Sequence, residues 1–517
     1  MKRVLLIALV GILLSTNIAL AQNGLVNPEQ IAGSTTRITA TAGENITAND
    51  IVKIINDGGA QAYKYLKQFS DSFGSASVFE SASSPYISAT RLTDTKFVVC
   101  YRDNGNSYYG TAIVGTVSGT TLSWGSASVF ESAQSDYISA TALSDTKFVV
   151  CYQDVGNSNY GTAIVGTVAD ATLSWGSASV FESANSYYIS ATALSDTKFV
   201  VCYRDAGNGN YGTAIVGTVS GTTLSWGSAS VFESASSYYI SAVKLSDTKF
   251  VVCYMDNGNS YYGTAIVGTV SGTTLSWGSA SVFESADSYY ISATALSDTK
   301  FVVCYQDGGN SYYGTAIVGT VSTTTLSWGS ASVFESANSD YISATALSDT
   351  KFVVCYRDNG NSYYGTAIVG TVSGTTLSWG SASVFRSASS SYISATRLTD
   401  TKFVVCYRDD GNSNYGTAIV GTAAYTGLSI PAFATSSVTS GSSGTFTMLR
   451  PFSVITSPNL SLSPASQLFL DANSALSTTI NANYYIGFAT DTTSIFIDPY
   501  PYNQTAASTI PVSLQRK

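Results

Sequence analysis

The stretch VVCYRDNGNSYYGTAIVG, residues 98–115, decides the fold, because nearly the same letters begin again at Val149, Val200, Val251, Val302, Val353 and Val404, always 51 residues on. A period kept this strictly, with no inserted or deleted residue, marks a fixed structural unit laid down seven times. The units start at residues 74, 125, 176, 227, 278, 329 and 380. Within the first, YISATRL (86–92), KFVVCYR (96–102), GTAIVGTV (110–117) and TLSWGSASVF (121–130) are rich in β-branched and aromatic residues. Turn-forming letters separate them, namely TD, DNGNS, SG and ESAQS, so the unit reads as four antiparallel strands, a, b, c and d.

Strand b is apolar on both sides, with Phe97, Val99 and Tyr101 on one face and Val98 and Cys100 on the other. Its sheet is therefore covered twice, which calls for a neighbouring sheet on each side. Radial packing about an axis supplies those neighbours, and seven units fall within the range of about four to eight blades that such rings adopt. Strand a carries the small side chains Ser88, Ala89 and Thr90, as expected where sheets converge on a crowded axis. The ends of the array are complementary. A d-type strand, SFGSASVF (72–79), has no a, b or c before it, whereas the last repeat has a, b and c but a degenerate d at TGLSI, without Trp. The N-terminal d strand is thus expected to complete the final unit and lock the ring. An open β-solenoid is the alternative; it would need end caps and leaves the complementary deficit unexplained.

On these residues the chain resembles a seven-bladed β-propeller, all-β, over residues 70–430. The period is close to the roughly 50 residues of a kelch blade, but the paired glycines of kelch blades and the Gly-His and Trp-Asp signatures of WD40 blades are missing. Asp103-x-Gly105 is similar to the start of a sialidase Asp-box, whose Trp should follow closely; here the next Trp is Trp124. The repeat is most similar to those of uncharacterised exported or virion-associated bacterial and phage propellers, a resemblance that implies a fold and no activity.

The flanks carry other signals. MKRVLLIALVGILLSTNIALA, residues 1–21, has a basic start, an apolar run and a small-residue end, which reads as a secretory signal peptide cut after Ala21. Its apolar run is too short for a retained membrane span. A secreted, periplasmic or cell-surface location follows as an expectation, with no membrane insertion after cleavage. Residues 22–69 and 431–497, which include AGENITAND (42–50) and LFLDANSALSTTINANYYIGFA (468–489), alternate like half-buried strands outside the repeat. Together they resemble the two halves of a small β domain recurrent in phage tail-fibre and bacterial surface proteins, with Ser474 where that motif has Gly. On this reading the propeller is inserted between the halves; two unrelated β-rich linkers are the alternative. Residues 498–517 read as a tail.

Composition narrows the chemistry. The 517 residues hold 24 Lys plus Arg against 33 Asp plus Glu, a net charge of −9, and no His. An acidic chain without basic runs argues against nucleic acid as a partner. The seven cysteines, Cys100, Cys151, Cys202, Cys253, Cys304, Cys355 and Cys406, occupy one equivalent place per repeat. Sheets stacked about 10 Å apart hold such residues beyond the roughly 7 Å limit for a disulfide, so they are expected as free, buried thiols.

In a four-strand meander the b–c and d–a connections emerge on one face, and the repeats differ from one another mainly there: Arg102 becomes Gln153 and Met255, and Pro85 becomes Asp136 and Tyr187. The candidate binding residues are Glu80 with its repeat equivalents, replaced by Arg386 in the last unit, then Asp103, Asp154, Asp205, Asp256, Asp307, Asp358 and Asp409, Asn106, and the tyrosines Tyr108 and Tyr109. Asp-x-Gly-Asn is explained by turn formation alone, with Asp accepting amide hydrogens, Gly supplying positive φ and Asn tolerating the left-handed region. Calcium is the competing reading for Asp103 and Asn106, although one carboxylate per loop is few for an ion that takes six to eight oxygens. The tyrosines suit either packing between loops or flat platforms for sugar rings.

These features give three functional readings. The first is a non-enzymatic multivalent binding or adhesion module for a glycan or another extracellular polymer or surface protein. The second is a purely structural surface or fibre-head protein. The third is a carbohydrate-active hydrolase built on paired carboxylates. Near-identity of the repeats weighs against the third, because catalysis needs unlike groups in unlike environments, and no His is present for a triad or a metal site.

Overall fold

The computed structural model describes residues 72–423 continuously, together with the backbone of flanking strands Thr41–Ala42, Asp50–Asn56, Ala60–Lys67, Gln467–Leu470, Leu476–Ser477, Tyr484–Ala489 and Ile495–Ile497. The proposed signal peptide and the tail lie outside the described residues. The flanking strands form a three-stranded and a four-stranded sheet, the first pairing Thr41 with Gln61 in parallel and the second pairing Phe469 with Ser477 antiparallel. No helix among the described residues is long and apolar enough to cross a membrane.

Residues 72–423 are all-β, a succession of four-stranded antiparallel units. In the first, strand a is Ser88–Arg91, b is Lys96–Asp103, c is Tyr109–Ser118, and d begins with Thr121–Trp124. Strands a and b pair in the register Ala89↔Val99, b and c as Val98↔Val114, and c and d as Gly115↔Trp124. The ESAQS segment, read as a turn, is instead strand. The second half of d and the a strand of the next repeat are one element, Ser128–Ser144, which pairs with c behind it (Val129↔Thr111) and with b ahead of it (Ala140↔Val150). A register shift between Asp136 and Ser139 lets the chain change sheets without leaving the strand. Tyr137 sits in that shift with a left-handed φ of 50°.

Each b strand is buried on both faces. Val98 and Cys100 pack against Phe148, Val150 and Tyr152, the opposite face of the next b strand. All five residues Phe97 to Tyr101 have 0% exposure, and burying each large apolar side chain contributes about 1.5–3 kcal/mol. The same interdigitation recurs from unit to unit, and Phe97, Val99 and Tyr101 of the first repeat pack with Val404 and Cys406 of the last. All seven cysteines are buried thiols, and burial pushes those of Cys100, Cys151, Cys202, Cys253, Cys304 and Cys406 well above the ordinary range.

The ends of the array also pair. Strands Ser72–Phe73 and Ser77–Ser83 lie antiparallel to c of the last repeat, Tyr415–Thr422, with Phe73 opposite Gly421 and Ser77 opposite Ala418. Phe73 thereby takes the place that Trp124 holds opposite Gly115, and its ring meets Phe403 edge-on at 6.1 Å as Trp124 meets Phe97 at 5.7 Å.

Strand a has nothing of its own sheet on its inner side, so its outward amide hydrogens need acceptors. Serine supplies them from the neighbouring repeat. Ala140 N donates to Ser88 Oγ (2.9 Å), Ala191 N to Ser139 Oγ (3.0 Å), Ala242 N to Ser190 Oγ (2.9 Å) and Ala293 N to Ser241 Oγ (3.0 Å). Ala344 N and Ala395 N continue the series on Ser292 and Ser343, and Ala89 N of the first repeat donates to Ser394 Oγ of the last at 2.9 Å. The small residues of strand a thus do more than fit a narrow space. Replacing Ser241 by Ala orphans the half-buried Ala293 N–H and is expected to cost about 1–3 kcal/mol, read as a lowered midpoint in urea unfolding; an unchanged midpoint would mean that this amide has another acceptor.

Candidate functional site

The b–c loop and the d–a segment meet on one face. Asn104 N donates to Ser83 O (3.1 Å), Arg102 N to Pro85 O (3.1 Å) and Ser135 N to Tyr108 O (3.3 Å). The Asp-x-Gly-Asn loop is a turn held by its own carboxylate: Asp103 Oδ1 accepts from Gly105 N (2.9 Å) and Asn106 N (3.1 Å), and Asp154, Asp205, Asp256, Asp307 and Asp358 accept from their own loop amides in the same way. The expected roles of Gly and Asn need correction. The left-handed residues are the two that follow, Ser107 (φ 55°) and Tyr108 (φ 66°). Gly105 is required for close approach instead, since a Cβ there would lie 2.5 Å from the Cβ of Ala82.

Each Glu of strand d reaches across the junction between repeats. Glu80 Oε2 accepts a hydrogen bond from Tyr101 Oη at 3.1 Å, and Glu131, Glu182, Glu233, Glu284 and Glu335 do the same for Tyr152, Tyr203, Tyr254, Tyr305 and Tyr356 at 2.9–3.0 Å. The loop aspartate stands beside this pair. Burial, then the charge of Asp103, raises the Glu80 carboxyl above its usual range, and Glu182, Glu233 and Glu284 are raised likewise by burial and their own aspartates. Burial also raises Asp154, Asp205, Asp256, Asp307 and Asp358. The last repeat differs. Arg386 replaces Glu and its Nε donates to Asp409 Oδ1 at 3.0 Å, which leaves the buried Tyr407 hydroxyl without a partner among the described residues.

Among the described residues no group of three or more His, Cys, Asp or Glu could hold a metal ion. The calcium candidates Asp103 and Asn106 are instead joined to each other through the turn.

The tyrosines of the loop separate into two kinds. Tyr109 is half-buried at the start of strand c, opposite Asp103. Tyr108, Tyr261, Tyr312 and Tyr363 are exposed, at 44–51%, and all four have left-handed φ of 60–66°. The equivalent residues Asn159, Asn210 and Asn414 share that conformation.

A third set was not singled out in the sequence. Tyr86, Tyr137, Tyr188, Tyr239, Tyr290, Tyr341 and Tyr392 adjoin the d–a register shift with φ of 48–54°. Each ring touches the next at 5.3–5.4 Å between centroids, and Tyr392 touches Tyr86 at 5.4 Å. They form a collar. Burial raises the hydroxyls of Tyr137 and Tyr290 to about 12. Tyr is an ordinary strand former, so only its invariance beside a variable position hinted at a special place. Arg102 links the collar to the exposed set, its guanidinium lying 5.0 Å from the Tyr86 ring and 5.6 Å from the Tyr108 ring.

No protein-family model matches the chain, and no curated protein matches it in sequence. Solved structures do. The BP39L lectin from Burkholderia pseudomallei is similar over 67% of this chain and 99% of that one, at 11% identity and a TM-score of 0.49. A protein of unknown function from Dyadobacter fermentans is similar over 68% and 99%, at 11% identity and 0.44. A mutant of the Aleuria aurantia lectin, in complex with Fucα1-6GlcNAc, is similar over 59% and 97%, at 15% identity and 0.40. At this level the likeness assigns this chain neither ligand nor activity.

The Tyr–Glu bond gives a direct internal comparison. Tyr305→Phe removes a donor from the half-buried Glu284 carboxylate and is expected to cost about 1.5–3 kcal/mol, whereas Tyr407→Phe removes a hydroxyl that bonds no described residue and should be neutral or stabilising. Paired thermal melts of the two variants check this; equal losses would contradict it.

Proposed function

We propose that the chain is a closed seven-bladed β-propeller that acts, without catalysis, as an exported multivalent module binding glycans on the face bearing the b–c and d–a loops. Closure is supported by contacts between the first and last repeats at every depth: Phe73 on Gly421, Val99 with Val404, Ala89 N on Ser394 and Tyr86 on Tyr392. Export rests on residues 1–21, and the protein recovered outside the cytoplasm is expected to begin at Gln22.

One observation carries the glycan reading. A non-glycine residue in the left-handed region costs roughly 1–2 kcal/mol, and Asn bears that cost more easily than Tyr. Three repeats place Asn there, yet four place an exposed Tyr. Strain kept at exposed aromatic residues fits a binding role better than a packing one. A tyrosine offers a flat apolar face and a polar tip, and the neighbouring carboxylates offer acceptors for sugar hydroxyls. Such shallow contacts are individually weak, but repetition on one rigid ring converts them into avidity. The carboxylate pairs recur in nearly the same surroundings from repeat to repeat, which favours a set of equivalent binding positions over one catalytic centre.

The test is a fourfold variant, Tyr108, Tyr261, Tyr312 and Tyr363 all changed to Asn, compared with the parent on a glycan array with and without chelator. The expected result is a loss of glycan binding of at least about tenfold, with a thermal midpoint equal to or above the parent's, no effect of chelator, and no reducing sugar released from any bound glycan. Undiminished binding by the variant would remove the aromatic platforms, and sugar release would restore the hydrolase reading.

A further inference from the structure

The residue at the Arg102 position varies around the face: Arg102, Gln153, Arg204, Met255, Gln306, Arg357 and Arg408. Three of the four arginines have a carboxylate. Arg102 pairs with Asp136 at 2.6 Å, Arg357 with Asp340, and Arg408 with Asp410 at 2.8 Å. Arg204 has none. The residue standing to it as Asp136 stands to Arg102 is Tyr238, and the Arg204 side chain makes no hydrogen bond or ion pair to any described residue; its buried Nε is without a partner.

What surrounds Arg204 is aromatic. Its guanidinium carbon lies 4.5 Å from the centroid of Tyr187, 4.8 Å from Tyr238 and 5.2 Å from the collar residue Tyr188. Rings attract the cation through their faces, but they accept none of its in-plane N–H hydrogens. The half-buried group therefore keeps a full positive charge and unfilled donors in surroundings poorer in water than the open surface. A planar guanidinium in that condition suits one partner chemistry above others, a carboxylate that takes two parallel N–H bonds.

We propose that Arg204, walled by Tyr187, Tyr188 and Tyr238, receives the carboxylate of an acidic sugar residue, so that one position on the glycan face reads charge while its counterparts do not. The inference rests on the glycan reading of that face and adds the class of sugar to it. The sequence supplies its own controls. Gln153 and Gln306 occupy the same position in other repeats, so Arg204→Gln is a substitution this fold already tolerates. Arg408→Gln is the matched control, because Asp410 would still hold the hydroxyls of Ser389 and Ser391.

The experiment measures binding of the full chain to trigalacturonate and to sialyllactose, each beside its methyl ester, at low and high salt. The expected result is that at least one acid binds about tenfold or more tightly than its ester, that salt weakens this preference, and that R204Q abolishes it while R408Q does not. Equal binding of acid and ester, or an acid preference that survives R204Q or is lost equally in R408Q, would overturn the assignment. If neutral glycans bind and neither acid is preferred, the Arg204 inference fails and the glycan face stands. If no saccharide of any kind binds, the glycan face itself fails.

Discussion

The structure depends on how the innermost strands satisfy their amide hydrogens. A strand with a free edge is both unstable and adhesive, and such edges repeated from unit to unit would present a row of unpaired donors. In this chain each strand a lends a serine hydroxyl to the amide of its neighbour, with threonine adding a second bond in several repeats, as from Ala142 N to Thr90 and Ala193 N to Thr141. The side chain has to be small, hydroxylated and correctly registered, which explains why the ISAT segment is nearly unchanged from repeat to repeat. At the far strand of each sheet tryptophan plays the matching part in six repeats: Trp124 Nε1 donates to Ser77 Oγ and Trp175 Nε1 to Ser128 Oγ, tying each Trp-bearing d strand to the one before it. Between these two belts the apolar b strands stack face against face.

A scaffold fixed so completely leaves the loop face free to vary. There the chain accepts features that the core would not tolerate: tyrosines in left-handed conformations, half-buried carboxylates raised by burial, and a charge without a counter-charge at Arg204. The repeats share the geometry but not all of the letters, so the face combines near-equivalent positions with individual exceptions. Arg386 is one exception, replacing the Glu–Tyr hydrogen bond with an ion pair to Asp409. Asp136 and Asp340 are others, each converting an adjoining arginine from a free cation into a bound one.

Much of the architecture was legible because the repeat makes its own alignment. Double-sided burial of KFVVCYR, the four antiparallel strands and the stray d strand before the array could each be read from seven near-copies of one unit. The face on which Glu80 and Asp103 meet was legible too, since the topology of a meander dictates it. What escaped reading depends on backbone angles and on contacts between repeats. Nothing in the letters ESAQS distinguishes a turn from a bulged strand that changes sheets, and nothing in a tyrosine foretells φ near 50°, so the collar stayed hidden. Glycine in such a loop suggests a dihedral role because it commonly has one, whereas the task of Gly105 is to let Ala82 approach. The partnering of Arg102 and the isolation of Arg204 arise from residues 34 positions further on, Asp136 and Tyr238, and become visible only when adjacent repeats are seen side by side.

The ring as proposed requires the first repeat to be held by the last as each other repeat is held by its predecessor. Hydrogen exchange at the Ala89 amide, whose acceptor is Ser394 Oγ, tests this most directly against its internal counterparts Ala140, Ala191, Ala242, Ala293, Ala344 and Ala395. Closure predicts that Ala89 exchanges as slowly as those six. Protection of the six with rapid exchange at Ala89 would mean an open array, and the account of a closed, single-faced ring would be wrong.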